Sequence, residues 1–198
     1  MFSGIVEEVG TVKSIERFPN SRRMKIACDK VLEGVAIGDS ISVNGVCLTI
    51  ININDSEFYV DIVNETLEKS NLNSIAEESK INLERSMRYN QRVSGHLVQG
   101  HIDTQAKVLD INKTDEWTEI EIEVDPDYKK YCIYKGSIAI DGVSLTIAKV
   151  TPRGIRVALI PHTLTNTILS DYSVNQHVNI ETDMVGKFIE NFSGAFSE

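Results

Sequence analysis

The two halves of this 198-residue chain align with each other, without a gap, when the sequence is shifted by 97 positions. The segment Gly45-Val46-Cys47-Leu48-Thr49-Ile50 then coincides with Gly142-Val143-Ser144-Leu145-Thr146-Ile147, and Thr66-Leu67 coincides with Thr163-Leu164. A repeat of this length is one whole small domain, because the repeats that build solenoids are roughly 20–50 residues long. The pattern predicts two related domains, and two related domains imply two related pockets.

The aligned halves differ mainly in polar side chains. The facing pairs are Cys47 and Ser144, Gly4 and His101, Gly38 and Lys135, Asn44 and Asp141, and Glu65 and His162. A common framework with different reactive groups favours two pockets that have separate roles. Drift in two purely structural domains is the alternative interpretation.

Charge and cysteine content narrow the class of protein. A net charge of -9 argues against nucleic acid as a partner, because such binding depends on Lys and Arg displacing counterions. No apolar run approaches the roughly 18 residues of a membrane span, and the first residues lack the features of a signal peptide, so we expect a cytoplasmic protein away from membranes. Cys28, Cys47 and Cys132 form no Cys-x-x-Cys pair, which predicts neither disulfides nor a metal site. A free cysteine is more often a small buried apolar residue than a nucleophile, and this applies to each of the three.

Strand patterns dominate the chain and predict an all-β fold. Residues 40–53 alternate small or polar side chains with Ile, Val and Leu around Asn44-Gly45, a strong hairpin signal that Asp141-Gly142 repeats. Further strands are predicted at 58–63, 102–111, 118–124 and 154–160, with turns at 54–55, 115–116 and 152–154. About six short strands per domain favour a closed barrel, because closure removes exposed edges. Short helices are predicted at 29–33, 67–72, 128–131 and 164–169, and a linker at 89–92.

The last residues of the chain carry an apolar stripe. Val185, Phe188, Ile189, Phe192 and Phe196 recur at helical spacing, which predicts an amphipathic terminal helix. This helix either docks on its own barrel or packs against copies of itself in an oligomer.

Four motifs in sequence order resemble the riboflavin synthases of the α-chain type. They are Met1-Phe2-Ser3-Gly4-Ile5-Val6, residues 44–49, Gly95-His96-Leu97-Val98-Gln99-Gly100-His101, and the stretch from Tyr134-Lys135-Gly136 through Asp141-Gly142-Val143-Ser144-Leu145-Thr146. The resemblance covers essentially the whole chain. It implies two tandem six-stranded closed barrels of Greek-key type, residues 1–97 and 98–184, followed by a C-terminal oligomerisation helix at 185–198.

The resemblance also implies a reaction and an assembly. Two molecules of 6,7-dimethyl-8-ribityllumazine exchange a four-carbon unit, without any cofactor or metal, to give riboflavin and 5-amino-6-ribitylamino-uracil. The resemblance implies a homotrimer in which the first barrel of one subunit faces the second barrel of its neighbour. Association with a lumazine synthase shell is left open.

The family motifs assign two sets of substrate-binding residues. The first pocket would be lined by Gly4, Ile5, Val6, Cys47, Leu48, Thr49, Asp61, Ile62, Val63, Asn64, Glu65 and Thr66. The second would be lined by Gly100, His101, Ile102, Lys135, Ser144, Leu145, Thr146, Ile160, Pro161, His162, Thr163, Leu164 and Thr165. His162 either tunes ring or ribityl contacts there or is a surface imidazole.

Six of the matching positions are candidates for the chemistry. Cys47, Ser144 and His101 are candidates to add to the ring, Ser40 and Asp141 to handle protons, and Lys135 to reach into a neighbouring subunit's site. Holding two rings face to face is expected to supply much of the rate enhancement, since good orientation is worth roughly 7–11 kcal/mol.

Two other functions compete with this enzyme. A non-catalytic lumazine or flavin antenna, similar to the lumazine proteins of luminous bacteria, would share both barrels, but the reactive positions of both halves favour turnover. A small-barrel nucleic-acid module is disfavoured by the acidic composition and the lack of interleaved aromatic and basic residues.

Overall fold

The computed structural model describes residues 1–114 and 116–195, and over these it contains two closed antiparallel barrels of six strands each. The first barrel consists of β1 (Glu8–Phe18), β2 (Ser21–Ala27), β3 (Ser40–Val43), β4 (Val46–Ile53), β5 (Glu57–Val63) and β6 (Lys80–Arg85). The second consists of β7 (Thr104–Lys113), β8 (Thr118–Glu123), β9 (Ser137–Ile140), β10 (Val143–Val150), β11 (Gly154–Leu159) and β12 (His177–Thr182). The strand order, β1-β2-β5-β4-β3-β6, recurs in the second barrel, so the predicted twin-barrel fold is confirmed.

Short helices connect the strands. They are α1 (Asn64–Lys69), α2 (Pro126–Lys129), α3 (Pro161–Asn166) and the terminal α4 (Met184–Ala195), with 3-10 turns at Lys30–Leu32, Asn71–Asn73 and Ile168–Asp171. The predicted helices lie in these regions, but α1 and α3 begin three residues earlier than predicted. At α3 the reason is Pro161, whose fixed φ suits the first helical position. Within the described residues no helix is long and apolar enough to span a bilayer.

Each barrel is filled by the inward residues of its alternating strands. In β5, Phe58, Val60 and Ile62 are fully buried while Asp61 and Val63 between and beyond them are exposed. Equivalent apolar residues of β7 to β12 fill the second barrel. The sequence patterns did not locate β1, β2, β6 and β12. In β6 and β12 the residues between the apolar ones are buried polar residues, namely Asn82, Glu84, Asn179 and Glu181. The predicted turn at 115–116 includes Asp115, which lies outside the described residues.

The internal repeat contains a one-residue step. In β1 and β2, Val12 pairs with Ile26, and in the second barrel Val108 pairs with Ile122, a shift of 96. From β3 onward the shift is 97, as the pairs Ile50–Val60 and Ile147–Val157 show. The gapless alignment was therefore wrong for the first part of each half. The second half has one extra residue between β8 and β9, and Gly4 corresponds to Gly100 rather than to His101.

The barrels meet around their β3-β4 and β9-β10 hairpins. Asn82 Nδ2 donates to the carbonyl of Asp141 at 2.9 Å, and Asn179 Nδ2 donates to the carbonyl of Asn44 at 2.8 Å. These four residues are buried, and the two bonds are related by the repeat. Both turns have positive φ at both central positions, as the Asn-Gly and Asp-Gly signals predict. The reciprocal bonds hold the two barrels in a pseudo-symmetric pair.

Candidate functional site

Two loops cross from one barrel to the other. The carbonyl of Gly4 accepts a hydrogen bond from the backbone N–H of Ser144 at 2.7 Å, and the carbonyl of Gly100 accepts one from Cys47 at 2.9 Å. The next residues follow the same course, because Val6 packs against the core of the second barrel and Ile102 against that of the first. The predicted grouping of residues 4–6 with Cys47 and of residues 100–102 with Ser144 is therefore wrong: the two sets are exchanged.

Glycine is required where each loop crosses. A Cβ on Gly4 would lie 2.6 Å from the Cβ of Ser144, and a Cβ on Gly100 would lie 2.6 Å from that of Cys47. Both glycines also have positive φ, +74° and +82°. The loops thus lie directly on the strand residues that the sequence predicts to be reactive.

Buried carboxylates hold both loops. Glu84 accepts hydrogen bonds from the backbone N–H groups of Ser3 and Gly4 and from the Ser3 hydroxyl, at 2.8 to 3.0 Å. Glu181 accepts from the N–H groups of Gln99, Gly100 and His101 at 2.6, 2.8 and 3.0 Å. Burial raises the pKa of both carboxyl groups, while the N–H donors favour the charged forms and oppose that rise.

The remaining candidate residues form two outward surfaces. We define the first face as the outer surface of β4 and β5 with residues 99–102, and the second face as the outer surface of β10 and β11 with residues 3–6. Exposed candidates on these faces and their helices are Thr49, Asp61, Val63, Asn64, Glu65, Thr146, Ile160, Pro161, His162 and Thr165. Cys47, Thr66, Ser144, Thr163 and Leu164 are partly buried. Leu48, Ile62 and Leu145 point into the barrel cores, so what they offer a ligand is backbone.

Ser144 on the second face is paired with an imidazole from the linker. Its Oγ lies 2.7 Å from Nδ1 of His96, while the backbone N–H of His96 donates to the carbonyl of Ser3. Burial lowers the pKa of His96, which keeps the ring neutral at pH 7. The ring accepts a hydrogen bond from the Ser144 hydroxyl when its proton is on Nε2, and it donates one to Oγ when its proton is on Nδ1. The first of these forms is the arrangement of a nucleophile and its general base.

His96 lies within one of the four motifs, but no role was predicted for it. The residue lies in the connection between the barrels, so comparison of the two halves supplies no equivalent position. Its place beside Ser144 is a product of the crossing loops. Its Nε2 is buried and has no hydrogen-bond partner among the described residues.

The first face has different chemistry. The Cys47 thiol is partly exposed and makes no hydrogen bond within residues 1–114 and 116–195. Thr49 pairs with Ser40 across β3 and β4, which places Ser40 on the same face. The exposed His101 follows Gly100 and lies on this face through its loop. Cys47, Ser40 and His101 therefore lie on the same face, although His101 was predicted to line the second pocket.

Asp141 and Lys135 make no hydrogen bond with Ser144 among the described residues. The Asp141 carboxylate is fully buried between the barrels, where it accepts hydrogen bonds from Tyr172 Oη, Asn71 Nδ2 and Asn179 N at 2.6 to 2.9 Å. Burial raises its pKa to about 7. Lys135 has a φ of +64° in an exposed loop, and its Nζ lies 5.3 Å from the Tyr134 ring. Their predicted chemical roles stay predictions.

Charged side chains also distinguish the rims of the two faces. Asp61 on β5 forms a two-point ion pair with Arg23 at 2.8 and 2.9 Å, and each group shifts the pKa of the other, lowering that of Asp61 and raising that of Arg23. The corresponding position on β11 is Ala158. His162 is exposed in the first turn of α3, where its carbonyl accepts a bond from Asn166. Its role stays a prediction.

Both faces are open surfaces of the single chain. A groove of about 1000 Å³ exists in the second barrel, but it lies at the other end of β10 and β11, near Val150 and Arg153. None of the candidate residues lines that groove. The candidate site is therefore defined by its reactive side chains rather than by a cavity. Another protein surface is needed to enclose it.

Comparison with known proteins agrees with this arrangement. The model of the lumazine binding domain matches residues 3–86 and again residues 99–183, which reproduces the 96-residue step at the crossing loops. The riboflavin synthase of Bacillus subtilis is 42% identical over 97% of this chain and 89% of its own length, and that of Schizosaccharomyces pombe is 38% identical over 96% and 92%. The solved structure of LumP complexed with riboflavin superposes with a TM-score of 0.86 at 26% identity, covering 92% of this chain and 99% of LumP. The chain belongs to the riboflavin synthase family and carries two lumazine-binding domains.

Proposed function

We propose that this protein catalyses the dismutation of two 6,7-dimethyl-8-ribityllumazine molecules to riboflavin and 5-amino-6-ribitylamino-uracil. The four carbons that one molecule loses are gained by the other, so no external oxidant or reductant is required. The single observation that carries the proposal is the chemical difference between two related faces: a hydroxyl paired with a neutral imidazole on the second, and an unpaired thiol on the first.

The reaction needs one ring to lose a proton from its 7-methyl group and the other to be activated at carbon 7. The methyl group is acidic because its carbanion is delocalised into the ring, so a modest base suffices. The Ser144–His96 pair supplies such a base, or a hydroxyl able to add to carbon 7. Threonine hydroxyls at 49 and 146 and loop backbone are available to the ribityl chain and the ring amides.

A homotrimer in which the first face of one subunit meets the second face of the next would enclose both substrates. Two observations support this assembly. First, one side of α4 carries four apolar side chains that are each more than half exposed: Val185, Phe188, Ile189 and Phe192. Second, two ion pairs, Lys187–Asp103 and Glu190–Lys130, hold the other side of α4 against its own barrel. The predicted terminal helix is confirmed, and its apolar stripe has no cover from the described residues; Phe196 lies outside them.

Two further expectations complete the proposal. The described cysteines are all free, which suits the reducing cytoplasm. Association with a lumazine synthase remains a prediction of the family resemblance alone.

The test is incubation of purified protein with the single lumazine substrate while riboflavin absorbance is followed. Formation of riboflavin and the uracil in equal amounts supports the enzyme. Tight binding without product would instead identify an antenna protein, the alternative that the likeness to LumP raises.

A further inference from the structure

We propose that Glu84 and Glu181 are positioning residues, and that each controls the candidate face of the barrel to which it does not belong. Their contribution to turnover rests on the proposed function. The crossed control of the two faces does not, because it follows from the course of the loops alone.

The first connection runs from β6 of the first barrel to β10 of the second. Glu84 holds residues 3 and 4 through their N–H groups and through the Ser3 hydroxyl. The carbonyl of Gly4 then accepts from Ser144 N at 2.7 Å. Because Ser3 O also accepts from His96 N, the same loop holds both members of the Ser144–His96 pair.

The second connection is the repeat of the first in the opposite direction. Glu181 on β12 holds three consecutive N–H groups at residues 99–101, and Gly100 O accepts from Cys47 N at 2.9 Å. The side chain of His101 extends from this loop. Loss of the Glu181 contacts would therefore free the loop that covers Cys47 and that positions His101.

A carboxylate is the one side chain that fits these positions. Both oxygens of each Glu receive only donors, and a carboxylate is a pure acceptor. A glutamine of the same size would turn an NH2 group toward backbone N–H donors, which removes at least one bond and leaves a donor facing a donor. The strand ladder is unaffected, because the backbones of Glu84 and Glu181 pair with Ser42 and Ala139.

The chain supplies a reporter for the first face. Burial raises the pKa of Cys28 to about 12 and that of Cys132 to about 11, so both react slowly with thiol reagents near neutral pH. Replacing both by alanine leaves Cys47 as the single thiol. Adding Cys47→Ala and Ser144→Cys to that background moves the single thiol to the second face.

The experiment measures the rate of modification by a small disulfide reagent in both full-length backgrounds, each with Glu84→Gln or with Glu181→Gln. The two substitutions are matched controls, since they remove the same contact in opposite barrels. We expect Glu181→Gln to accelerate modification of Cys47 about tenfold, and Glu84→Gln to change it by less than roughly twofold. At the thiol introduced by Ser144→Cys the two effects exchange.

Equal acceleration of both reporters by both variants would show general loosening and overturn the proposal, as would an effect confined to the barrel that carries the substitution. If a Gln variant does not fold, Ser3→Ala gives the same test more mildly, because it removes only the hydroxyl bond to Glu84. Acceleration at the Ser144→Cys reporter without change at Cys47 supports the crossed control, and any other result refutes it. Since no substrate is present, failure of this test is separate from failure of the proposed activity.

Discussion

The two barrels share strand order, turn conformations and loop anchors, yet several polar residues on their outer faces and at their interface differ. Lys135 adopts a positive φ in the place of Gly38, and Ser144 with a linker imidazole takes the place of Cys47. The framework positions that fix the backbone are kept in both halves. Duplication thus supplied two surfaces of one shape, and the side chains on them diverged into different chemistry.

The contact between the barrels shows the same divergence. Asp141 receives hydrogen bonds from Tyr172 and Asn71. Its counterpart Asn44 has Ile75 and Ile168 at the equivalent positions, and Asn44 Nδ2 is buried with no partner in the part of the chain that is described. An unpaired buried donor costs stability, roughly 1–3 kcal/mol. Around Asp141 the side-chain oxygens are hydrogen-bonded to polar side chains, whereas around Asn44 two isoleucines take their place and the amide nitrogen is unsatisfied.

Replacement of the two reactive residues is the strongest test of the difference between the faces. Ser144→Ala removes the hydroxyl that His96 binds, so we expect kcat to fall by about 10²–10³, within the range attributed to general acid–base catalysis. Cys47→Ser keeps a small polar group and should lower kcat by less than about tenfold. Steady-state rates of riboflavin formation measure both. A larger loss for Cys47→Ser would reverse the roles of the two faces.

The apolar stripe of α4 provides the next largest effect. Phe188 and Phe192 stack at 6.4 Å and are exposed, so burying them between subunits would stabilise a trimer by roughly 2 kcal/mol per ring. The double variant Phe188→Ser, Phe192→Ser should sediment as a monomer and lose most of its activity. Val174→Ser is the control, because Val174 is 50% exposed and lies outside both the stripe and the two faces. A trimeric double variant would show that α4 is not the assembly element.

The parts that the sequence predicted are those encoded locally. The hairpins at Asn44-Gly45 and Asp141-Gly142 follow from two residues that tolerate positive φ, and the barrels follow from many short strands. The crossing of the loops was missed because it depends on contacts such as Gly4–Ser144, between residues 140 positions apart. His96 was missed for the same reason, since its chemistry arises only when the linker lies over Ser144. The burial of Asp141 likewise depends on Tyr172 and on Asn71 of the other barrel.

A smaller effect is expected in the pH dependence of riboflavin formation, because among the described residues only the second face carries a titrating imidazole paired with a hydroxyl. Burial lowers the pKa of His96 below its ordinary value of 6.5, and the neutral ring is the form that acts as a base. The rate should therefore be constant above pH 6.5 and fall at lower pH by about tenfold per pH unit, which gives the profile an acid limb. In His96→Gln this limb should disappear from the profile of kcat/KM. An unchanged acid limb in that variant would assign the titration to another group.

The smallest effect concerns the interface, and it tests why Asp141 and Asn44 differ. Because the pKa of Asp141 is raised to about 7 in the folded protein, the folded state binds more protons than the unfolded state between pH 4 and 7. The contribution of Asp141 to stability is therefore largest at low pH and declines as the pH rises to 7. Asp141→Asn cannot titrate, so its stability relative to the unsubstituted chain should improve from pH 4 to pH 8, by on the order of 1–3 kcal/mol. Urea unfolding at a series of pH values measures this difference. The paired control Asn44→Asp should show the opposite trend, because Ile75 and Ile168 stand at the positions equivalent to Tyr172 and Asn71, the side chains that donate to Asp141. Parallel curves for all three proteins would mean that neither carboxylate has a raised pKa at the interface.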